Sequence, residues 1–315
     1  MGTVVAQAAN DDWADRLAAR KTHPPDWHNR PMSDKKPFFR ATAFWILLLG
    51  GAAFSGFAVA SDAPSNGKSV FVEDLTSFEL RDLVLKGTTT VLIPIGGTEQ
   101  SGPHIVLGKH NARVKYLSGK IAERLGNAVV APVLAYVPEG RISPPAAHMR
   151  FTGTISISEA SFEEILQSTA RSFKQHGFHD IVFLGDHGGY QKSEVQAAQR
   201  INKEWAADSG YHAYGLTAYY EASQAPFIKV LRSKGYSDAE IGTHAGLADT
   251  SLSLAVDPGL VRMPLLSDAS KTRPADGVYG DPKRSSVELG QIGLNIIVDN
   301  SVRAIQAAIK KRSAQ

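Results

Sequence analysis

Two passages of the chain share one form, and together they constrain the fold more than any other feature. Val91-Leu-Ile-Pro-Ile95 is an apolar run that breaks at Gly96-Gly97 and is followed by Glu99, His104 and His110. His179-Asp-Ile-Val-Phe-Leu184 runs in the same way into Gly185, Asp186, His187 and Gly188-Gly189. Short apolar runs ended by glycine are the pattern of buried parallel strands, and open α/β sheets place their sites beyond the carboxyl ends of such strands. Two strand ends that both present acid and imidazole groups therefore point to one shared site.

The spacing around them predicts alternating elements. Leu75, Phe78, Leu80, Leu83 and Leu85 suit a helix over 75–86, ended by Gly87. A strand over 88–95 and a helix over 114–125 capped by Gly126 follow. Pro132 breaks the apolar run 127–136 into a short strand and an extended connection, 138–149 is a Pro-rich loop, and 153–157 is a strand. Phe162, Ile165, Leu166 and Phe173 predict a helix over 161–176, before a strand at 181–184, a helix at 193–205 and a strand at 212–219. The last functional helix is expected within 240–254 and a C-terminal helix over 292–310. Such alternation gives right-handed crossovers, hence an α/β fold: a single layered domain with a mainly parallel central sheet flanked by helices, over residues 70–315. The polar loop 264–282 is of a length usually tied to function or subunit contact, and a homo-oligomer is expected.

The first sixty residues read differently. From Met32 the chain has a basic start (Lys35, Lys36, Arg40), an apolar middle from Ala41, and an Ala58-Val-Ala60 ending. That order is a secretory signal over 32–60 with cleavage after Ala60, so Met32 is the expected initiator and 1–31 an upstream stretch wrongly assigned to the protein. Residues 61–69 form a linker. The rival is a membrane anchor, since 41–60 is just long enough to span a bilayer, but Gly50-Gly51 and the small-residue ending favour cleavage. The expectation is a periplasmic protein with no stable membrane anchor. Absence of cysteine excludes thiolate chemistry and a lipid-bearing cysteine at the signal end, and leaves His, Asp and Glu as the only strong metal ligands. A net charge of only +3 gives no nucleic-acid footprint. Neither a phosphate-binding glycine loop nor a Gly-x-Ser-x-Gly nucleophile is present.

Five ordered motifs carry a family resemblance: Pro94-Ile-Gly-Gly-Thr-Glu-Gln-Ser-Gly-Pro-His104, Leu107-Gly-Lys-His110, His148-Met-Arg-Phe-Thr-Gly-Thr-Ile155, Gly185-Asp-His-Gly-Gly189 and His244-Ala-Gly-Leu-Ala-Asp-Thr-Ser251. They resemble the creatininase (creatinine amidohydrolase) family, over about residues 70–261. The resemblance implies a compact α/β domain that hydrolyses cyclic or linear amides, often with two divalent metals. Glu99 and His187 match the family's first-metal ligands. Ser101 stands where the family has a second-metal histidine, His110 where it has a bridging aspartate, and Leu247 and Asp249 where the last motif carries glutamates.

From the residues themselves, Glu99 reads as a ligand or as a loop glutamate capping a helix, and His187 as a ligand or a turn histidine. Glu99, His110 and His187 would form a two-histidine, one-carboxylate set suited to zinc, with manganese or iron as alternatives. Asp186 or Asp249 is expected to provide a second carboxylate or to orient a ligand histidine, with Asp186 the one counted among the ligands. His244 reads as the start of a helix whose dipole lowers its basicity; the resemblance makes it the proton donor to the leaving nitrogen, with His148 and Asp249 beside it. His104, Ser101, Tyr190 and Glu139 are candidate substrate contacts, His104 equally a hydrogen-bonded core histidine. The expected function is metal-dependent hydrolysis of a C–N bond in a small cyclic amide, lactam or formamide-like substrate. The alternative is a metal-poor, non-catalytic binder of small molecules, and an interaction role suggested by the 264–282 loop is a weaker third.

Overall fold

The computed structural model describes residues 69–269 and 274–313. The expected upstream stretch, the signal peptide and all of the linker but Ser69 lie outside these residues. Four parallel strands, β1 (Thr90–Ile95), β2 (Ala128–Val130), β3 (Asp180–Gly185) and β4 (His212–Gly215), pair in the order β2-β1-β3-β4. The helices are α1 (Ser77–Leu85), α2 (Lys109–Leu125), α3 (Glu159–Gln175), α4 (Gln191–Glu204), α5 (Thr217–Ser233), α6 (Asp238–Ile241), α7 (Leu247–Val256), α8 (Leu266–Ala269) and α9 (Val287–Ser313).

Every residue of β1 and β3 is buried, so neither strand shows a polar alternation and each feeds both faces of the sheet. Val91, Ile93, Ile95, Ile181 and Phe183 face one way, packing with Phe162 and Leu166 of α3 and Ala197 and Ile201 of α4. Leu92, Val182 and Leu184 face the other way, against Val114 and Leu117 of α2, Phe227 of α5, Leu252 of α7 and Ile297 of α9. The result is the expected layered domain, with helices on both sides of a parallel sheet. The register pairs Ile95 with Gly185, so the two glycine-marked strand ends lie side by side.

Several elements depart from the sequence expectation. The segment 153–157 is not a strand: the Ile155 amide bonds the Thr98 carbonyl and the Ile157 amide bonds that of Val137, so it closes over the loops instead of joining the sheet. Helix α2 starts at Lys109, five residues early, because its first turn is held by acids brought from elsewhere in the fold. β4 stops at Gly215 and is followed by α5, which carries Pro226 inside it and was not expected. Its Tyr219, Ala222, Phe227 and Leu231 are buried, and that tertiary packing overrides the proline signal. α7 starts at Leu247, so His244 precedes the helix.

α9 lies along α7 and α5, and two glycines allow the approach. A methyl group on Gly290 would run into the Ser251 carbonyl of α7, and one on Gly293 into Leu252 and Phe227. Gly290→Ala should therefore lower stability by about 1–3 kcal/mol although alanine is the better helix former, because overpacking against a carbonyl outweighs propensity. Chemical denaturation of the variant checks this; an unchanged or raised midpoint would contradict the packing argument.

Candidate metal and catalytic site

Gly97, with φ +143°, turns the chain out of β1. The turn places Glu99 at 0 % exposure beyond the sheet edge. β3 delivers Asp186 and His187 beside it, and the Tyr190 hydroxyl ties the two ends together. It accepts the Asp186 and His187 amides at 3.1 and 3.0 Å and donates to the Gly96 carbonyl at 2.6 Å.

The first five residues of α2 supply three side chains that meet these carboxylates. Lys109 pairs with Asp249 and lies 3.4 Å from Glu99 Oε1. His110 reaches Glu99 Oε1 with Nε2 (2.8 Å) and Asp186 Oδ2 with Nδ1 (2.5 Å). Arg113, one turn on, donates from Nε to Asp186 (2.8 Å) and from a terminal nitrogen to Asp249 (2.8 Å). Tyr219 of α5 adds a hydroxyl to Asp186 Oδ1 at 2.8 Å. Burial alone would raise the pKa of Glu99, but Lys109 and then the hydrogen bond and charge of His110 overcome it and hold Glu99 far below the usual carboxylate range. Burial and Lys109 work against protonation of His110, and its bonds to Asp186 and Glu99 prevail and raise its pKa.

The second oxygen of Glu99 is in a different situation. Oε2 is buried with no hydrogen-bond partner. It faces His148 Nδ1 at 3.2 Å and His187 Nε2 at 3.5 Å. These three side chains offer ligand atoms within 4.8 Å of one another. Burial, the leading cause, lowers His187 to about 3 and also lowers His148, a direction that favours the neutral imidazole a metal ligand requires. His244 Nδ1 lies 3.7 Å from Glu99 Oε1, while its Nε2 donates to the Gln100 carbonyl at 2.9 Å. Its pKa of about 4 comes from burial and then from Lys109, not from a helix dipole as its expected place on a helix implied. The imidazoles open onto a cavity of about 410 Å³, also lined by Gln100, Arg150, Tyr220, Gln224, Thr243 and Tyr279.

The triad that the fold gathers thus differs from the expected ligand set: His148, expected beside the catalytic acid, takes the place of His110. Both nitrogens of His110 are turned to carboxylates, and Asp186 spends both oxygens on Arg113, His110 and Tyr219. His110 thus meets the triad only through its bond to Glu99 Oε1, and Asp186 makes no bond to it. The four expected substrate contacts do not line the cavity. Tyr190 is spent on the strand ends, and His104 is a buried histidine bonded to Thr250 at 3.0 Å. Ser101 is buried with an unpartnered hydroxyl. Glu139 sits behind His187, with Oε2 3.4 Å from its Nδ1, where it can orient the ring.

Comparison with known proteins places the chain among relatives. A family model described as "Creatininase: Creatinine amidohydrolase" matches residues 73–305. The chain belongs to the creatininase family. With it the chain joins the metal-dependent amidohydrolases. A creatinine amidohydrolase of Pseudomonas putida is 26% identical over 255 residues, covering 76% of this chain and 97% of the relative. A mycofactocin precursor peptide peptidase of Mycolicibacterium smegmatis is 29% identical over 188 residues, 58% of this chain and 62% of that protein. A solved structure described as "Creatininase Mn" superimposes with TM-score 0.63 at 26% identity, covering 76% of this chain and 99% of the other. A mutant creatininase of Zn-Zn type gives TM-score 0.63 at 26% identity, with 77% and 99% covered.

Within this creatininase framework, Lys109, Arg113, Gln100 and Tyr219 escaped the sequence reading. A Lys-His-x-x-Arg spacing was the available signal, since Lys109 and Arg113, at i and i+4, are neighbours on one helix face.

One consequence concerns protons. Burial, and next the charge of Glu99, raise Glu139 to about 8, so it holds a proton at pH 6, whereas His187, lowered by burial to about 3, is already neutral there. A cation on His187 favours the ionised form of Glu139 and expels that proton. Zinc binding at pH 6 should release about one proton, read from calorimetry in buffers of differing ionisation enthalpy. The release should fall toward zero in Glu139→Gln; equal release in both proteins would exclude Glu139 as its source.

Proposed function

We propose that this chain hydrolyses a C–N amide bond of a small molecule, a cyclic amide, lactam or formamide-like compound, at one divalent metal held by Glu99, His148 and His187. The observation that carries the reading is the bare Oε2 of Glu99, buried and aimed at two imidazoles beside an open cavity. A buried acceptor left without a partner costs about 1–3 kcal/mol, more when charged, and a cation at that point removes the cost. One carboxylate and two imidazoles leave positions open for water and substrate and suit zinc or manganese.

When bound there, the metal would supply a polarised amide carbonyl and a water acidified toward neutrality. The remaining work falls to the chain. His244 donates through Nε2 to the Gln100 carbonyl, which leaves Nδ1 with a free lone pair on the Glu99 side of the cavity. A neutral imidazole held this way takes a proton from the attacking water and returns it to the departing nitrogen. The Gln100 side-chain amide can donate to His148 Nδ1 at 3.3 Å, and the Gln100 carbonyl holds His244 through its Nε2. The Pseudomonas putida relative supports a cyclic amide, and the peptidase relative makes a linear peptide amide the competitor, which a substrate screen separates. The intact triad weighs against the metal-poor binder.

Glu99→Ala should abolish both metal uptake and turnover. His244→Ala should keep the metal and lower turnover by roughly 10²–10⁴-fold, the usual worth of a proton-transfer group. Metal analysis and kinetics on both variants decide it, and metal lost in His244→Ala but kept in Glu99→Ala would reverse the two roles.

We also infer that the mature protein is exported and starts at Ser61, supported by the basic, apolar and small-residue order from Met32 to Ala60. N-terminal sequencing of envelope protein should give Ser61; a soluble cytoplasmic product starting near Gly2 would refute export.

A further inference from the structure

Every carboxylate oxygen on the α2 side of the site is taken by a protein donor. Asp186 Oδ1 accepts from Arg113 (3.1 Å) and Tyr219 (2.8 Å), and Oδ2 from His110 (2.5 Å) and Arg113 (2.8 Å). Asp249 Oδ1 accepts from Arg113 (2.8 Å), and Oδ2 from Lys109 and the Ala245 amide (3.0 Å). Glu99 Oε1 accepts from His110 at 2.8 Å and lies 3.4 Å from the Lys109 ammonium. Lys109 is 1 % exposed, and lysines are rarely buried without full pairing. Its ammonium stands between Glu99, in the loop after β1, and Asp249 of α7, and His244 Nδ1 lies 3.7 Å from the same Glu99 oxygen, a donor set that would otherwise suit a divalent ion.

We propose that Lys109 is a built-in replacement for a second metal: it fills the Glu99 Oε1, Asp249 and His244 side of the site and fixes the centre at one ion, on Glu99 Oε2, His148 and His187. The inference rests on the metal-dependent reading above and deepens it. The related creatininase structure of Zn-Zn type shows that this fold can hold a pair. Here the second position offers no free carboxylate oxygen. Asp249 is kept there by Lys109 and Arg113 together, from the same side of α2.

The test is metal stoichiometry, which does not depend on turnover. Apoprotein of the natural sequence, Lys109→Arg and Lys109→Met is saturated with Zn²⁺ or Co²⁺ at pH 7. Bound metal is then measured after gel filtration, and in the cobalt forms exchange coupling is sought by electron paramagnetic resonance. The natural protein and Lys109→Arg should bind one ion without coupling. Lys109→Met should bind two, the second more weakly, with coupled spins, because Glu99 Oε1 and Asp249 Oδ2 each regain a lone pair. Lys109→Gln replaces Lys109→Met if the latter fails to fold by circular dichroism. Two ions in the natural protein, or one in a folded neutral variant, overturns the role of Lys109. One ion in both leaves the metal-dependent reading intact, whereas no ion in the natural protein removes that reading and this inference together.

Discussion

Glu99 has no exposure to water, so both of its oxygens must be satisfied inside the protein, and the structure divides them. Moving a carboxylate out of water costs several kcal/mol unless charge and hydrogen bonds replace its hydration. On one oxygen Lys109 and His110 do this. That requirement sets much of the surrounding architecture. α2 must begin at the site instead of five residues later, so that consecutive side chains of its first turn reach Glu99. Lys109 then needs Asp249 from α7, and His110 and Arg113 need Asp186 from β3. Three elements distant in sequence are tied to one carboxylate.

The imidazoles around Glu99 come from loops, and two of those loops, one facing each oxygen, carry backbone strain. Ala147, just before His148, and Ala245, just after His244, have φ of 51° and 53°, a region alanine avoids. Each such residue costs of order 1–3 kcal/mol and persists only where the surroundings enforce it. At Ala245 the enforcement is visible: its amide donates to Asp249 Oδ2, the oxygen that Lys109 also uses. The His244 loop is therefore positioned by the cation network under Glu99. Strain beside two imidazoles, and at no other non-glycine position among the described residues, marks these loops as shaped for the site and not for stability.

How much of this was legible in the sequence follows from the range of each interaction. β1 and β3, their parallel pairing and the meeting of their ends could be read, because apolar runs and glycine breaks are local signals. α5 could not, since Pro226 and weak amphipathicity hide a helix that exists by burying Tyr219 and Phe227. At the site, Glu99, His187 and His148 were visible as residue types in loops. Which imidazole would face which oxygen was not, because it depends on where α2 starts and how it is rotated. With the helix expected at 114, His110 looked like a free loop ligand. Placed on the first turn between two carboxylates, it is a donor at both nitrogens. Lys109 drew no notice for the same reason: a lysine at a loop end is ordinary until the fold buries it.

An ammonium can neutralise carboxylates, but it has no open coordination position and cannot hold a reactant as a divalent ion does. Of the two services a second metal offers, Lys109 can supply only the first. The groups that meet substrate must then gather on the other side of Glu99. The exposures agree: the side chains of His148, His187 and His244 are 22, 18 and 12 % exposed, against 1 % for Lys109 and 5 % for His110. A pocket walled by imidazoles and underlain by fixed cations is the shape that follows from one buried glutamate with two unlike oxygens. It also places His244, whose loop touches both the cation network and the cavity, as the group through which a change in Lys109 would reach the chemistry.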